Sequence, residues 1–197
     1  MVFICHLSTQ TALRLAGGVA ILLLGTVTCL AGNGSWSSNG PYGGDVAALI
    51  SYEAGPATLW AVGGGRAFRS TSAGASWQRM VNGLPESSYI STMAAANNSP
   101  VLYAGGRSQL FRSGNGGDQW VALGTPATMT YVSHVAVRRN HPNTVAIAGY
   151  AGIWSSSNGG SSWIGSVLPE ANYSGLAYSD DGSLYVSVRI SDPSVFG

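Results

Sequence analysis

Residues 156–163 read SSNGGSSW, and the same outline stands at 113–120 as SGNGGDQW and at 70–77 as STSAGASW. A polar, glycine-rich run that ends on tryptophan three times, at a spacing of 43 residues, is an internal repeat. Further columns keep step with Trp77, Trp120 and Trp163: Trp60, Tyr103 and Ala146; Gly63, Gly106 and Gly149; Phe68, Phe111 and Trp154; Arg69, Arg112 and Ser155; Ser70, Ser113 and Ser156.

Outward from the motif, each unit divides into four short segments. In the first unit these are Asp45 to Ile50, Thr58 to Val62, Ala67 to Ser70 and Trp77 to Met80, separated by Gly, Pro, Ser and Asn clusters. Apolar or alternating runs of this length between turn residues are strands, and no window sustains a helical period. Four strands in about 43 residues make one blade of a β-propeller. The expected fold is therefore all-β, with blades near 45–81, 89–124 and 132–168 and an incomplete one over 174–197. About three and a half blades are fewer than the four to eight of a propeller. The sequence is expected to be truncated or a gene fragment, an open arc that dissolves poorly unless it assembles.

The motif has a local reason. Ser72, Asn115 and Asn158 stand where a short polar side chain folds back onto the amides of a tight turn, and Gly74, Gly117 and Gly160 follow where positive φ is needed. Ser70, Ser113 and Ser156 open the turn, and each tryptophan starts the outer strand, where it can lie between blades. The first copy, with Ser72 for Asn and Ala73 where the others have glycine, is expected to be the loosest.

Residues 1–31 stand apart. One positive charge at Arg14 precedes an apolar run, and Cys29-Leu30-Ala31 places small residues at −3 and −1 of a cleavage site. We read a secretory signal peptide cut near Ala31, giving a secreted or periplasmic chain over 32–197; an uncleaved anchor is the alternative and the expected route to any membrane contact. Both cysteines, Cys5 and Cys29, fall in this segment, so no disulfide or thiolate metal site is expected after cleavage. All nine basic residues are arginine and the net charge is +1, which leaves no basic face for nucleic acid. No cofactor or metal is expected: His134 and His141 have no acidic partner at ligand spacing.

Ser-x-Asn-x-Gly-x-x-Trp resembles the Asp-box, or bacterial neuraminidase repeat, of sialidase-type propellers, with Asn or Ser where that consensus has Asp. The segment from Trp36 to Val46 is similar to the opening of secreted propellers related to xyloglucan hydrolases and sortilin-type receptors. The resemblance implies a structural role for the motif, on the periphery and away from an axial site. Within the resemblance the chemistry of the enzymes is incomplete. The first-blade aspartate of xyloglucan hydrolases is missing from Ala61-Val62-Gly63-Gly64-Gly65-Arg66, and the Arg-Ile-Pro of sialidases does not occur.

Propeller ligands bind near the axis, on loops that join one blade to the next. These carry Tyr42, Asp45, Glu86, Tyr89, Tyr131, His134, Glu170 and Tyr173, a set able to hold a sugar or a peptide. A glycosidase needs two carboxylates across the scissile bond, and Asp45, Glu86 and Glu170 lie on different loops. The expected function is a secreted, non-enzymatic scaffold binding protein or glycan through these loops. The alternative is a glycoside hydrolase with part of its active site in further blades.

Overall fold

The computed structural model describes residues 45–51, 58–97, 99–107, 109–150, 152–166 and 171–190. The expected signal peptide and the segment from Trp36 to Gly44 lie outside the described residues. The strands are β1 (Val46–Ser51), β2 (Leu59–Gly63), β3 (Arg66–Ser70), β4 (Gln78–Arg79), β5 (Ile90–Ala95), β6 (Leu102–Gly106), β7 (Gln109–Ser113), β8 (Val121–Leu123), β9 (His134–Val137), β10 (Val145–Gly149), β11 (Gly152–Ser156), β12 (Ile164–Ser166), β13 (Ala171–Tyr178) and β14 (Leu184–Ile190).

They form three four-stranded antiparallel meanders, β1 to β4, β5 to β8 and β9 to β12, and a two-stranded sheet of β13 and β14. The middle strands pair in one register throughout. Ala61 faces Phe68, Ala104 faces Phe111 and Ile147 faces Trp154, each pair 43 residues beyond the last.

Apolar side chains on both faces of the middle strands hold the blades together. On β6 and β7, Leu102, Ala104 and Phe111 pack toward the first blade with Trp60, Val62, Met80 and Leu84. Val101, Tyr103 and Leu110 point the other way, into a cluster with Val135, Val145, Ile147 and Trp154 of the third blade. A strand covered on both faces reads as a continuous apolar run, and β6 and β10 are buried at every position. Strand β1 alternates instead, leaving Leu49 44% exposed, and on β14 Tyr185 is 63% exposed.

The tryptophan motif is a hydrogen-bonded turn in all three copies. The buried Ser113 hydroxyl accepts from the amides of Gly117 (2.9 Å) and Asn115 (3.3 Å) and donates to Asn115 Oδ1 (2.9 Å), which also accepts from the Gln119 amide (3.0 Å). Ser156 and Asn158 repeat the set with Gly160 (2.8 Å) and Ser162 (2.9 Å). In the first copy Ser70 accepts from Gly74 (2.9 Å) and the Ser72 hydroxyl accepts from Ser76 (2.9 Å), but the Ser70–Ser72 hydroxyl contact lengthens to 3.4 Å. The shorter serine side chain closes the same turn with a weaker internal bond, and Ala73 is held at a φ of 53° where Gly116 and Gly159 have 70° and 73°.

The second and third turns are fastened to the preceding blade. The Trp120 amide donates to Asn82 O at 2.9 Å, and the Trp163 indole donates to Gly124 O at 2.8 Å. Gly117, at a φ of 95°, lies against Met80: a Cβ there would sit 2.3 Å from its Sδ. Arg69 ties the same seam, donating to Gly116 O (3.2 Å) and pairing with Asp118 (2.6 Å). Arg112, its repeat equivalent, bonds Tyr103 Oη (3.3 Å) and Asn143 Oδ1 (3.1 Å) of the third blade.

Candidate functional site

Opposite the tryptophan turns, each second strand folds into the third through a hairpin, and the residue that leads into the same blade's first strand lies against it. The Gly64 amide donates to Asp45 O (3.4 Å), and its repeat equivalent Arg107 donates to Tyr89 O (3.3 Å). A Cβ on Gly106 would sit 1.7 Å from Tyr89 O, and one on Gly149 would sit 1.8 Å from Tyr131 O. These close approaches make Asp45, Tyr89 and Tyr131 equivalent positions of successive blades, although Tyr89 and Tyr131 are 42 rather than 43 residues apart.

The hairpin apices fill the spaces between them. Gly64, Arg107 and Tyr150 occupy the apex of the first, second and third blade. The Arg107 guanidinium lies over the Tyr89 ring, 6.0 Å from its centroid. The rings of Tyr131 and Tyr150 are 5.7 Å apart and tilted by 40°. Arg107 and Tyr131 form an isolated β-bridge, which joins the two pairs. The result is a row that runs Tyr89, Arg107, Tyr131, Tyr150, with Asp45 at the equivalent position of the first blade. Tyr89 is 49% and Tyr150 72% exposed, while Tyr131 is half-buried.

The other loop residues are placed differently. Glu86 is exposed but ion-paired to Arg79 at 2.8 Å; that hydrogen bond and charge hold its carboxyl below the ordinary value of 4.5, ionised and unsuited to donating a proton. His134 is the first residue of β9 rather than a loop residue. It is partly buried, its Nδ1 lies 3.0 Å from Ser133 Oγ, and burial lowers its pKa against an opposing hydrogen bond to the Ser174 backbone. Tyr173, expected on a loop, belongs to β13: pairing with Val188 draws it into the ladder, where it is 9% exposed and burial raises its pKa. Tyr42 and Glu170 lie outside the described residues.

Arg107 and Tyr150 escaped the sequence reading, which searched the inter-blade loops. The signal was present, since both fall one repeat apart at a hairpin apex. Among the described residues no three His, Cys, Asp or Glu gather as a metal site.

No protein-family model matches the chain, and no curated protein matches it. Solved structures do. An ancestral GH74 enzyme is 21% identical with a TM-score of 0.59, over 77% of this chain and 23% of that one. The GH74 xyloglucanase from Xanthomonas campestris is 16% identical with a TM-score of 0.61, over 75% and 28%. YCF48 bound to D1 peptide is 10% identical with a TM-score of 0.52, over 73% and 62%. The chain thus spans under a third of the two GH74 chains and less than two thirds of the YCF48 chain. At these identities the likeness concerns the fold, and with the three meanders it establishes an all-β chain built as an incomplete β-propeller.

Proposed function

We propose that the chain is a secreted propeller scaffold that binds a protein or glycan ligand at its hairpin end and does not transform it. The observation that carries this reading is the row itself: rings and a guanidinium stand together, with one carboxylate, Asp45, at the equivalent position of the first blade. Tyrosine supplies broad, amphipathic contact area at low conformational cost, which suits recognition. Hydrolysis of a glycosidic bond needs a second carboxylate about 5 to 9.5 Å from the first. Glu86 is committed to Arg79. The three serine-opened turns, in this reading, are Asp-box hairpins whose work is to lock each outer strand to its blade.

The test is to incubate the chain with xyloglucan, mixed-linkage β-glucan and sialosides, and to measure both retention and reducing-end release. Binding without release, weakened by Tyr150→Ala and indifferent to Asp45→Asn, is expected. Release that disappears in Asp45→Asn would establish the glycoside hydrolase instead.

A further inference from the structure

Several arginines of this chain already have protein acceptors. Arg66 donates to Ser88 O (2.6 Å), Arg69 pairs with Asp118, Arg79 with Glu86, Arg112 bonds Asn143, and Arg138 bonds Asp181 O (3.3 Å). Arg107 is held by a ring face. A guanidinium lying over an aromatic ring keeps its in-plane N–H groups directed outward, where they match the two oxygens of a carboxylate.

Blade one closes its hairpin on Gly64, which has no side chain and takes a φ of 54°, whereas Arg107 and Tyr150 do not take positive φ and carry exposed side chains at the same apex. Arg107 stands beside Tyr131, and Tyr131 beside Tyr150. One cationic fork next to a pair of polar-tipped rings, Tyr150 exposed and Tyr131 half-buried, fits a chain of sugar rings that bears carboxylates: the rings cover the C–H faces of the sugars, and the fork takes the acid. A peptide recognised by strand addition or in an apolar groove would use different features.

We propose that the hairpin end binds an acidic polysaccharide, with Arg107 pairing a uronate carboxylate and Tyr131 and Tyr150 stacking on neighbouring sugar rings. This rests on the ligand-binding reading above and deepens it by naming the ligand class. Asp45 places a like charge at the first-blade end, so the acid preference centres on Arg107.

Electrophoresis of the full chain through native gels containing polygalacturonate, or the same polymer after carboxyl reduction, separates the outcomes. Retardation by the charged polymer is expected, weaker in high salt. The polymer concentration for half retardation should rise about tenfold in Arg107→Gln and be partly restored in Arg107→Lys. The reduced polymer should bind weakly and ignore Arg107→Gln, and Tyr150→Ala should weaken binding to both. Equal retardation by charged and reduced polymers, abolished by Tyr150→Ala, would overturn the acid preference and leave ligand binding at this end intact. Retention of a random peptide library instead of either polymer, lost in Tyr150→Ala, would overturn the glycan class. Binding that none of these substitutions changes would overturn both readings.

Discussion

Replacing Ser113 by alanine removes one hydroxyl and tests how much of a blade's stability resides in the tryptophan turn. That oxygen is the acceptor for the Gly117 amide at 2.9 Å and the Asn115 amide at 3.3 Å, and Ser113 is 1% exposed. The Gly117 amide lies in a buried residue against Met80. Left without a partner, a buried donor costs about 1–3 kcal/mol, and the longer Asn115 bond adds little, so a loss of about 2 kcal/mol follows. Repeat arrays can unfold blade by blade, and a single global midpoint can hide such a loss. Amide exchange at Gly117 reads the local opening directly, and 2 kcal/mol corresponds to about a thirtyfold faster rate when exchange proceeds through that opening. Trp120 fluorescence in urea gives the second reading, because its indole donates to Gly117 O at 3.1 Å. With an m-value of about 2 kcal/mol per molar, its midpoint should fall by about 1 M. The exposed Ser161→Ala serves as control, with a change under about 0.5 kcal/mol. If Ser113→Ala matches that control and Gly117 exchange is unaltered, the turn does not hold the blade and the argument fails.

Ala73→Gly should stabilise the first blade. Its φ of 53° strains an L-residue by about 1–2 kcal/mol, offset in part by about 0.5–1 kcal/mol of added chain entropy, which leaves a gain of about 0.5 kcal/mol in urea unfolding. Gly106→Ala should cost about 3 kcal/mol, because backbone opposes the new Cβ at 1.7 Å from Tyr89 O; a thermal midpoint close to that of the parent would contradict the close approach. His134 contributes a pH dependence of definite sign. Its folded pKa is lowered by burial, so below the ordinary 6.5 the unfolded chain takes the proton first. Stability therefore falls as pH drops from about 6.5 through the lowered folded pKa. Urea midpoints across that window should slope for the parent chain and flatten in His134→Gln.

The four-strand unit was legible because two periodicities coincide: short apolar runs mark strands, and the 43-residue spacing repeats them. The turn chemistry was legible too, since the opening serine, the Asn or Ser two residues on and the glycine of each turn bond within five residues of one another. Arg69 and Arg112, equivalent positions beside the turn, both tie one blade to the next. The candidate site was legible only in part. Asp45, Tyr89 and Tyr131 were picked out by the loops that carry them, but Glu86 pairs with a residue of the outer strand, and Tyr173 enters a ladder through a partner 15 residues away.

The sequence by itself determined the blade, its count of strands, its register and the locked turn at its outer corner, because all of these arise from interactions within one repeat. Tertiary structure alone decided which side chains meet at the hairpin end. Arg107 comes to lie over Tyr89, and Tyr150 beside Tyr131, because the residue that leads into each blade's first strand crosses so close to that blade's own hairpin that glycine alone fits beneath its carbonyl. The bridge from Arg107 to Tyr131 then joins one blade to the next, and the spacing of residues along one strand carries no record of it.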